Sequence, residues 1–346
     1  MDVLPMQKKA PVSCASQVTG LYEGKITPVA HACGHDAHTA MLLGAAQVLA
    51  EHREKVAGTV VFVFQPTEEG RADIDNFSQD EQVGSRKMIA DGALSNSKPE
   101  VIFGLHVMAG MPSGHLYYKD GAVLNSADGV RITLNGQQVH GSMPWKGRDS
   151  IVAAADIIQN MQTLVSRRTD LGKGMDVISI DQIQGGTSGN IIPEQVSMTG
   201  TIRSNHEDIG QNILKSLPEM IDHTAKANDV QAKIEIYAYA PVTFNDKTLT
   251  HLMAPSLKSV VGENKLEQNE SASEDFAYCG QIMPALFVFL GATPTNQDMR
   301  KAAPNHSPYF MVDDKPLKTG IVLHIRFVMD YPKIAGQVQA AWRAKK

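Results

Sequence analysis

The chain has 346 residues, 42% of them hydrophobic, with 32 basic against 37 acidic side chains and a net charge of −5. That length suits about two domains at roughly 150 residues each, and the charge balance provides no basic field for nucleic acid or an anionic membrane surface. No apolar run approaches the ~20 residues that span a bilayer, so neither nucleic acid nor membrane is expected as a partner.

Three cysteines, Cys14, Cys33 and Cys279, are too few for a disulfide framework. They fit a reducing compartment, and a cytoplasmic location is expected. The opening Met1-Asp2-Val3-Leu4-Pro5 has neither the charged region nor the apolar region of a signal peptide.

The first informative segment is His31-Ala32-Cys33-Gly34-His35-Asp36-Ala37-His38, with one cysteine, three histidines and an aspartate in eight residues. Thiolate and imidazole are borderline-soft ligands that suit Zn²⁺, Mn²⁺ or a neighbouring divalent ion. Cys33 and His35 can converge on one ion or bridge a pair; the alternative is a buried cysteine beside a hydrogen-bonded histidine. His31 and His38 read as structural groups, and Asp36 as an acid that orients a liganding imidazole through its second nitrogen.

From about His38 to Lys55 the apolar residues Met41, Leu42, Ala45, Ala46 and Leu49 share one face, which predicts a helix starting at the ligand cluster. Residues 58–65 form a continuous apolar, β-branched and aromatic run, the pattern of a strand buried on both faces. It leads into Glu68-Glu69. Adjacent side chains diverge, so one carboxylate suits a metal and the other suits the base that takes a proton from water. Residues 101–107 form a second such run containing His106, with helical residues 86–93 between. The glutamate pair and His106 thus fall at or just past the carboxyl ends of strands, where open α/β sheets hold their ligands.

From Asp128 the character changes. Residues 129–135 alternate as a half-exposed strand does, followed by a helix over 149–168, strands near 176–183 and 195–203, a helix over 207–227 and a strand over 230–239. The order β-α-β-β-α-β is the ferredoxin-like pattern, a unit of ~110 residues and a plausible domain size. The expected fold is α/β in two domains. A catalytic domain with a mostly parallel central sheet takes residues 1–124 and 240–346, the latter with a strand near 285–290. An inserted ferredoxin-like lid takes residues 125–239.

Eight segments occur in order along nearly the whole chain: HACGHDAHTAMLLGAA (31–46), VFQPTEEG (63–70), GLHV (104–107), HGSMPWKGRDS (140–150), GGTSGNIIPE (185–194), GTIRS (200–204), SEDFAYC (273–279) and NHSPYF (305–310). Together they resemble the M20 metallopeptidases in their amidohydrolase branch, which includes hippurate hydrolases, N-acyl-amino-acid amidohydrolases and indoleacetyl-amino-acid hydrolases. The resemblance implies two divalent ions per chain (Zn, Mn, Co or Ni) and a homodimer formed through the inserted domain. It implies Cys33, His35, Glu69, His106 and His306 as metal ligands, with Cys33 bridging, and Glu68 as general base. It gives His140 a role in polarising the scissile carbonyl, reaching the partner subunit's site. Asn190 and Arg203 would contact the substrate carboxylate or the oxyanion. Glu274 and Asp275 would support the metals, with a helix-capping role as the rival.

The expected reaction is attack of metal-activated water on the amide bond of a small N-acyl amino acid. The alternatives are a carboxypeptidase or dipeptidase on the same site, or a catalytically dead relic that only dimerises. Two departures from the family pattern stand out. Met1-Asp2-Val3-Leu4-Pro5 is similar to the middle of the family's Asp-Met-Asp-Ala-Leu-Pro motif, so an N-terminal stretch with a helix and central strands is expected to be missing. Asp2 matches the second aspartate, which helps orient a metal ligand. Residues 71–83 replace a short glycine-rich turn by a longer acidic loop, expected to modify substrate choice.

Overall fold

The computed structural model describes the chain except for residues 1, 23, 71–76, 78–81, 262–271 and 346. A hairpin of β1 (Thr19–Tyr22) and β2 (Lys25–Pro28) precedes α1 (His35–Glu51). Helix α1 has no proline and is rich in alanine and leucine, and it buries Ala37, Met41, Ala45 and Leu49 as one stripe. After α2 (Gly84–Ala90) comes β3 (Ile102–Pro112), then β4 (Leu116–Tyr117) and β5 (Gly121–Leu124).

The next segment contains β6 (Ala127–Asn135), β7 (Val139–His140), α3 (Ser150–Arg168), β8 (Asp176–Gly185), β9 (Ile191–Ile192), β10 (Gln195–Ser204), α4 (Glu207–Ala227) and β11 (Gln231–Ala240). Four of these strands form an antiparallel sheet in the order β11-β6-β10-β8. The alternation of β6 puts Val130, Ile132 and Leu134 on one face, where they meet Ile157, Met161 and Leu164 of α3 and Leu217 and Ile221 of α4. Asp149 starts α3 by accepting from the backbone N–H of Ile151 (2.9 Å) and Val152 (3.1 Å).

The chain then passes through β12 (Thr243–Asn245), α5 (Lys247–Val261), α6 (Ala277–Ile282), β13 (Ala285–Thr293), α7 (Lys315–Asp330) and α8 (Ala335–Lys345). Strand β12 pairs with β5, so the chain returns beside the point where it left. Strand β13 lies between β3, parallel to it, and β4, antiparallel. All nine of its residues are buried. Leu286, Val288 and Leu290 join a core with Met41 of α1, Leu257 of α5 and Leu323 of α7. Phe287 and Phe289 join Val123 and Phe276 on the opposite face. A Cβ on Gly320 would lie 2.0 Å from Met41 Sδ, which is why α7 carries glycine where it packs on α1. Among the described residues no helix is long and apolar enough to cross a membrane.

One sequence expectation is corrected. Residues 58–65, predicted as a strand buried on both faces, join no β-ladder, and Val61 and Phe64 are 37% and 46% exposed. Strand β3 is an edge strand, and a cavity of about 730 Å³ lined by Val60, Phe62, Phe103 and Phe327 separates it from the run. Apolar patterning promotes extended backbone, but a ladder needs a neighbour within hydrogen-bonding reach, and no described segment fills that gap. The 71–83 segment lies outside the described residues except for Phe77, Gln82 and Val83. The Phe77 ring packs under the Arg131 guanidinium of β6, 4.2 Å from its centroid.

Candidate metal centre

Cys33 sits in the turn that enters α1, and the turn depends on Gly34. Its φ is +113°, and a Cβ there would lie 2.2 Å from Val107 Cγ2. The buried Cys33 sulfur is 3.3 Å from His106 Nε2 and 3.3 Å from His306 Nε2. His106 projects from the interior of β3, and its Nδ1 donates to the Val107 carbonyl at 2.8 Å. A carbonyl can only accept, so this bond fixes the tautomer and leaves Nε2 as a lone-pair donor toward the sulfur. Burial, and then His35, push the His106 imidazole down to about 4, which keeps it neutral. His306 reaches the sulfur from the far end of the chain with φ +68°, held by its N–H on the Ala32 carbonyl at 2.7 Å. Asn305 braces the same turn by donating to the carbonyls of Cys33 (2.8 Å) and Val107 (3.1 Å).

His35, the first residue of α1, gives its Nδ1–H to Asp2 in a short hydrogen bond and turns Nε2 toward Glu68 Oε2 (3.6 Å) and Glu69 Oε1 (4.0 Å). Asp2 also accepts from the Glu69 N–H at 2.9 Å, tying the histidine turn to the glutamate turn. The supporting role expected of Asp2 is therefore visible, whereas Asp36 faces solvent in the first turn of α1 and does not orient the imidazole. Helix geometry explains the correction: adjacent helical residues point about 100° apart, so Asp36 cannot follow His35 inward. His38 accepts from the Val107 N–H at 2.9 Å, a structural role.

Four carboxyls crowd the same space. Burial, then Glu274 and Glu69, push Glu68 well above the usual carboxylate range. For Glu69 burial acts upward, but contact with His306 outweighs it and holds the group down. Glu69 Oε1 lies 3.1 Å from His306 Nε2, off the hydrogen-bond direction, and is buried without a hydrogen-bond partner. Asp275 accepts from Gln65 Nε2 (2.6 Å) and from the Ser85 N–H (2.7 Å) at the start of α2, so it both caps that helix and borders the cluster. Glu274 lies next to Glu68.

The donor atoms fall into overlapping sets, each within 4.8 Å of one another: Cys33, His35 and His106; Cys33, Glu69 and His306; His35, Glu68 and Glu69. Burial and the two glutamates push the Cys33 thiol far up, so a thiolate there needs a cation beside it. One sulfur shared by two donor sets, a carboxylate oxygen without a partner and a surplus of negative charge together fit a pair of divalent ions.

A cavity of about 500 Å³ opens over the cluster, lined by Cys33, Glu68, Glu69, His306, Arg203 and Tyr239, among others. Arg203 of β10 thus reaches the site and donates to Ser273 Oγ at 3.0 Å. His140 and Asn190 do not line the cavity. They lie together on β7 and the loop before β9, where the Gly141 N–H donates to the Asn190 carbonyl at 2.7 Å, and both are exposed. Sequence reasoning missed Tyr239, whose hydroxyl donates to the Glu68 carbonyl. Its only sequence signal is its place at the end of a strand leading back toward the catalytic segment.

Comparison with known proteins agrees with this geometry. The profile of peptidase family M20/M25/M40 matches residues 1–330. The chain is 34% identical over 337 residues to IAA-amino acid hydrolase ILR1-like 4 of Arabidopsis thaliana, covering 96% of this chain and 71% of that protein. It is 31% identical over 317 residues to an N-acetylcysteine deacetylase of Bacillus subtilis, covering 92% and 76%. The YXEP protein of Bacillus subtilis, described as a dinuclear metal binding peptidase from the M20 family, superposes with a TM-score of 0.72 at 28% identity, over 95% of this chain and 78% of that one.

Proposed function

Because the chain belongs to peptidase family M20/M25/M40, we propose that it hydrolyses the amide bond of small N-acyl amino acids, releasing a carboxylic acid and a free amino acid. It is a metal-dependent amidohydrolase that works with two divalent ions. The observation that carries the proposal is the Cys33 sulfur shared between two donor sets beneath a cavity. The names of two relatives, an IAA-amino acid hydrolase and an N-acetylcysteine deacetylase, support a modified amino acid as substrate.

In this reading Cys33, His35, Glu69, His106 and His306 would hold the two ions, with Cys33 a member of both donor sets. Ions held there would supply Lewis-acid polarisation of the scissile carbonyl and a lower pKa for bound water. Glu68 takes the proton of the attacking water and delivers it to the leaving nitrogen, a task for which a raised carboxyl is suited. Arg203, on the cavity wall, pairs with the substrate carboxylate, whose two oxygens its planar fork matches.

The domain assignment, residues 1–124 with 240–346 as the catalytic unit and 125–239 as the lid, is supported by the separate cores on the two sheets. His140 and Asn190, exposed and off the cavity, act on the site of a second copy in a homodimer formed through the lid. Elemental mass spectrometry of protein reconstituted with Mn²⁺, Co²⁺ or Zn²⁺ is expected to find about two ions per chain, with loss in Cys33→Ala. The same protein is expected to cleave N-acetylcysteine or an indoleacetyl amino acid. Absence of bound metal, or cleavage confined to unmodified dipeptides, rejects the reading.

A further inference from the structure

The turn that carries Glu68 has little support from its own strand. Residues 59–64 before it join no ladder, and Thr67 immediately before it holds φ +54°, a left-handed conformation costly for a β-branched residue. Within the turn the Gly70 N–H donates to the Thr67 carbonyl at 3.2 Å. Among the described residues, two side chains from outside bond to its backbone. Asp2 accepts from the Glu69 N–H, and Tyr239, from the end of β11 and 171 residues away, donates to the Glu68 carbonyl.

The Tyr239 oxygen also lies 3.3 Å from Glu68 Oε1. A phenol has one proton, and the short contact with the carbonyl, which can only accept, uses it. The hydroxyl is therefore committed to the peptide of Glu68 rather than to its carboxyl group.

We propose that Tyr239 is a positioning residue for Glu68: its hydroxyl fixes the peptide that carries the base. The assignment rests on Glu68 as general base. It also ties the last strand of the lid to the turn that holds that base, so movement of β11 is felt at Glu68.

The test is Tyr239→Phe in the full chain reconstituted with Mn²⁺, with N-acetylcysteine as substrate. The variant is expected to lower kcat about tenfold, the scale of one lost hydrogen bond, with KM and metal content unchanged within about twofold. Amide hydrogen exchange in residues 67–70 is expected to accelerate by about the same factor. A kcat within twofold of the unaltered protein, a loss expressed in KM, or unchanged exchange in that turn overturns the proposal. If the unaltered protein cleaves no N-acyl amino acid, the proposed function fails, and the exchange comparison alone still decides whether Tyr239 anchors the turn.

Discussion

At the scale of single residues, the site is organised by which atom of each side chain is already committed. His106 spends Nδ1 on the Val107 carbonyl and His35 spends Nδ1 on Asp2, so each presents Nε2 to the same space. The clustering of Cys33 and His35, and the divergence of Glu68 from Glu69, could be read from residue types and spacing. The acid that orients His35 could not be read that way; the family resemblance expected Asp2 to orient a metal ligand without saying which one. Asp36 is the sequence neighbour of His35, yet Asp2 is its spatial neighbour, 33 residues away. The base assignment predicts that Glu68→Gln, which keeps the shape and removes the proton acceptor, lowers kcat by a factor on the order of 10²–10⁴ while retaining both ions. Steady-state kinetics with parallel metal analysis checks this, and a variant that keeps substantial turnover would remove Glu68 from the role.

At the scale of elements, periodicity served well where each element's partners are close at hand. Helix α1 was readable from its apolar stripe, and β13 is buried throughout because both its faces are covered. The 58–65 run shows the limit, since its composition promotes a strand but pairing depends on what lies beside it. Strand β6 illustrates a buried charge that patterning does not flag. Burial, and then Glu207, push the Asp128 carboxyl up from 3.8 to about 7 against the pull of Arg203. The native state therefore keeps a proton that the unfolded chain has released between about pH 4 and 7, and stability falls as pH rises through that window. Asp128→Asn is expected to raise Tm relative to the parent at pH 7 and to give no such gain at pH 4. Equal differences at both pH values would show that Asp128 is not the titrating group.

At the scale of the whole molecule, the metal centre joins four distant parts of the chain: the turn before α1, the glutamate turn, β3 and the loop that carries His306. Ions that bind only this assembled state stabilise it by mass action, about 2.7 kcal/mol per site at a hundredfold excess over Kd. Thermal melting is expected to show a Tm that falls on chelation and recovers with Mn²⁺. In Cys33→Ala the response should largely disappear, and a Tm indifferent to metal in the parent would contradict a centre assembled from these four parts.

The sequence by itself determined the local grammar of this protein: a thiolate and imidazole at two-residue spacing, paired carboxylates after an apolar run, the alternation of β6, and the ordered motifs that mark its family. These properties depend on residues a few positions apart, whose relative directions are set by backbone geometry. The family resemblance anticipated a bridging Cys33 and a supporting Asp2; only the tertiary structure decided which donors share that sulfur, that Asp2 rather than Asp36 holds His35, that Tyr239 braces Glu68, and that residues 59–64 stay outside a ladder. Each of those depends on which distant atoms arrive within hydrogen-bonding distance; Cys33 and His306, 273 residues apart, meet at 3.3 Å. Spacing along the chain does not encode such a distance.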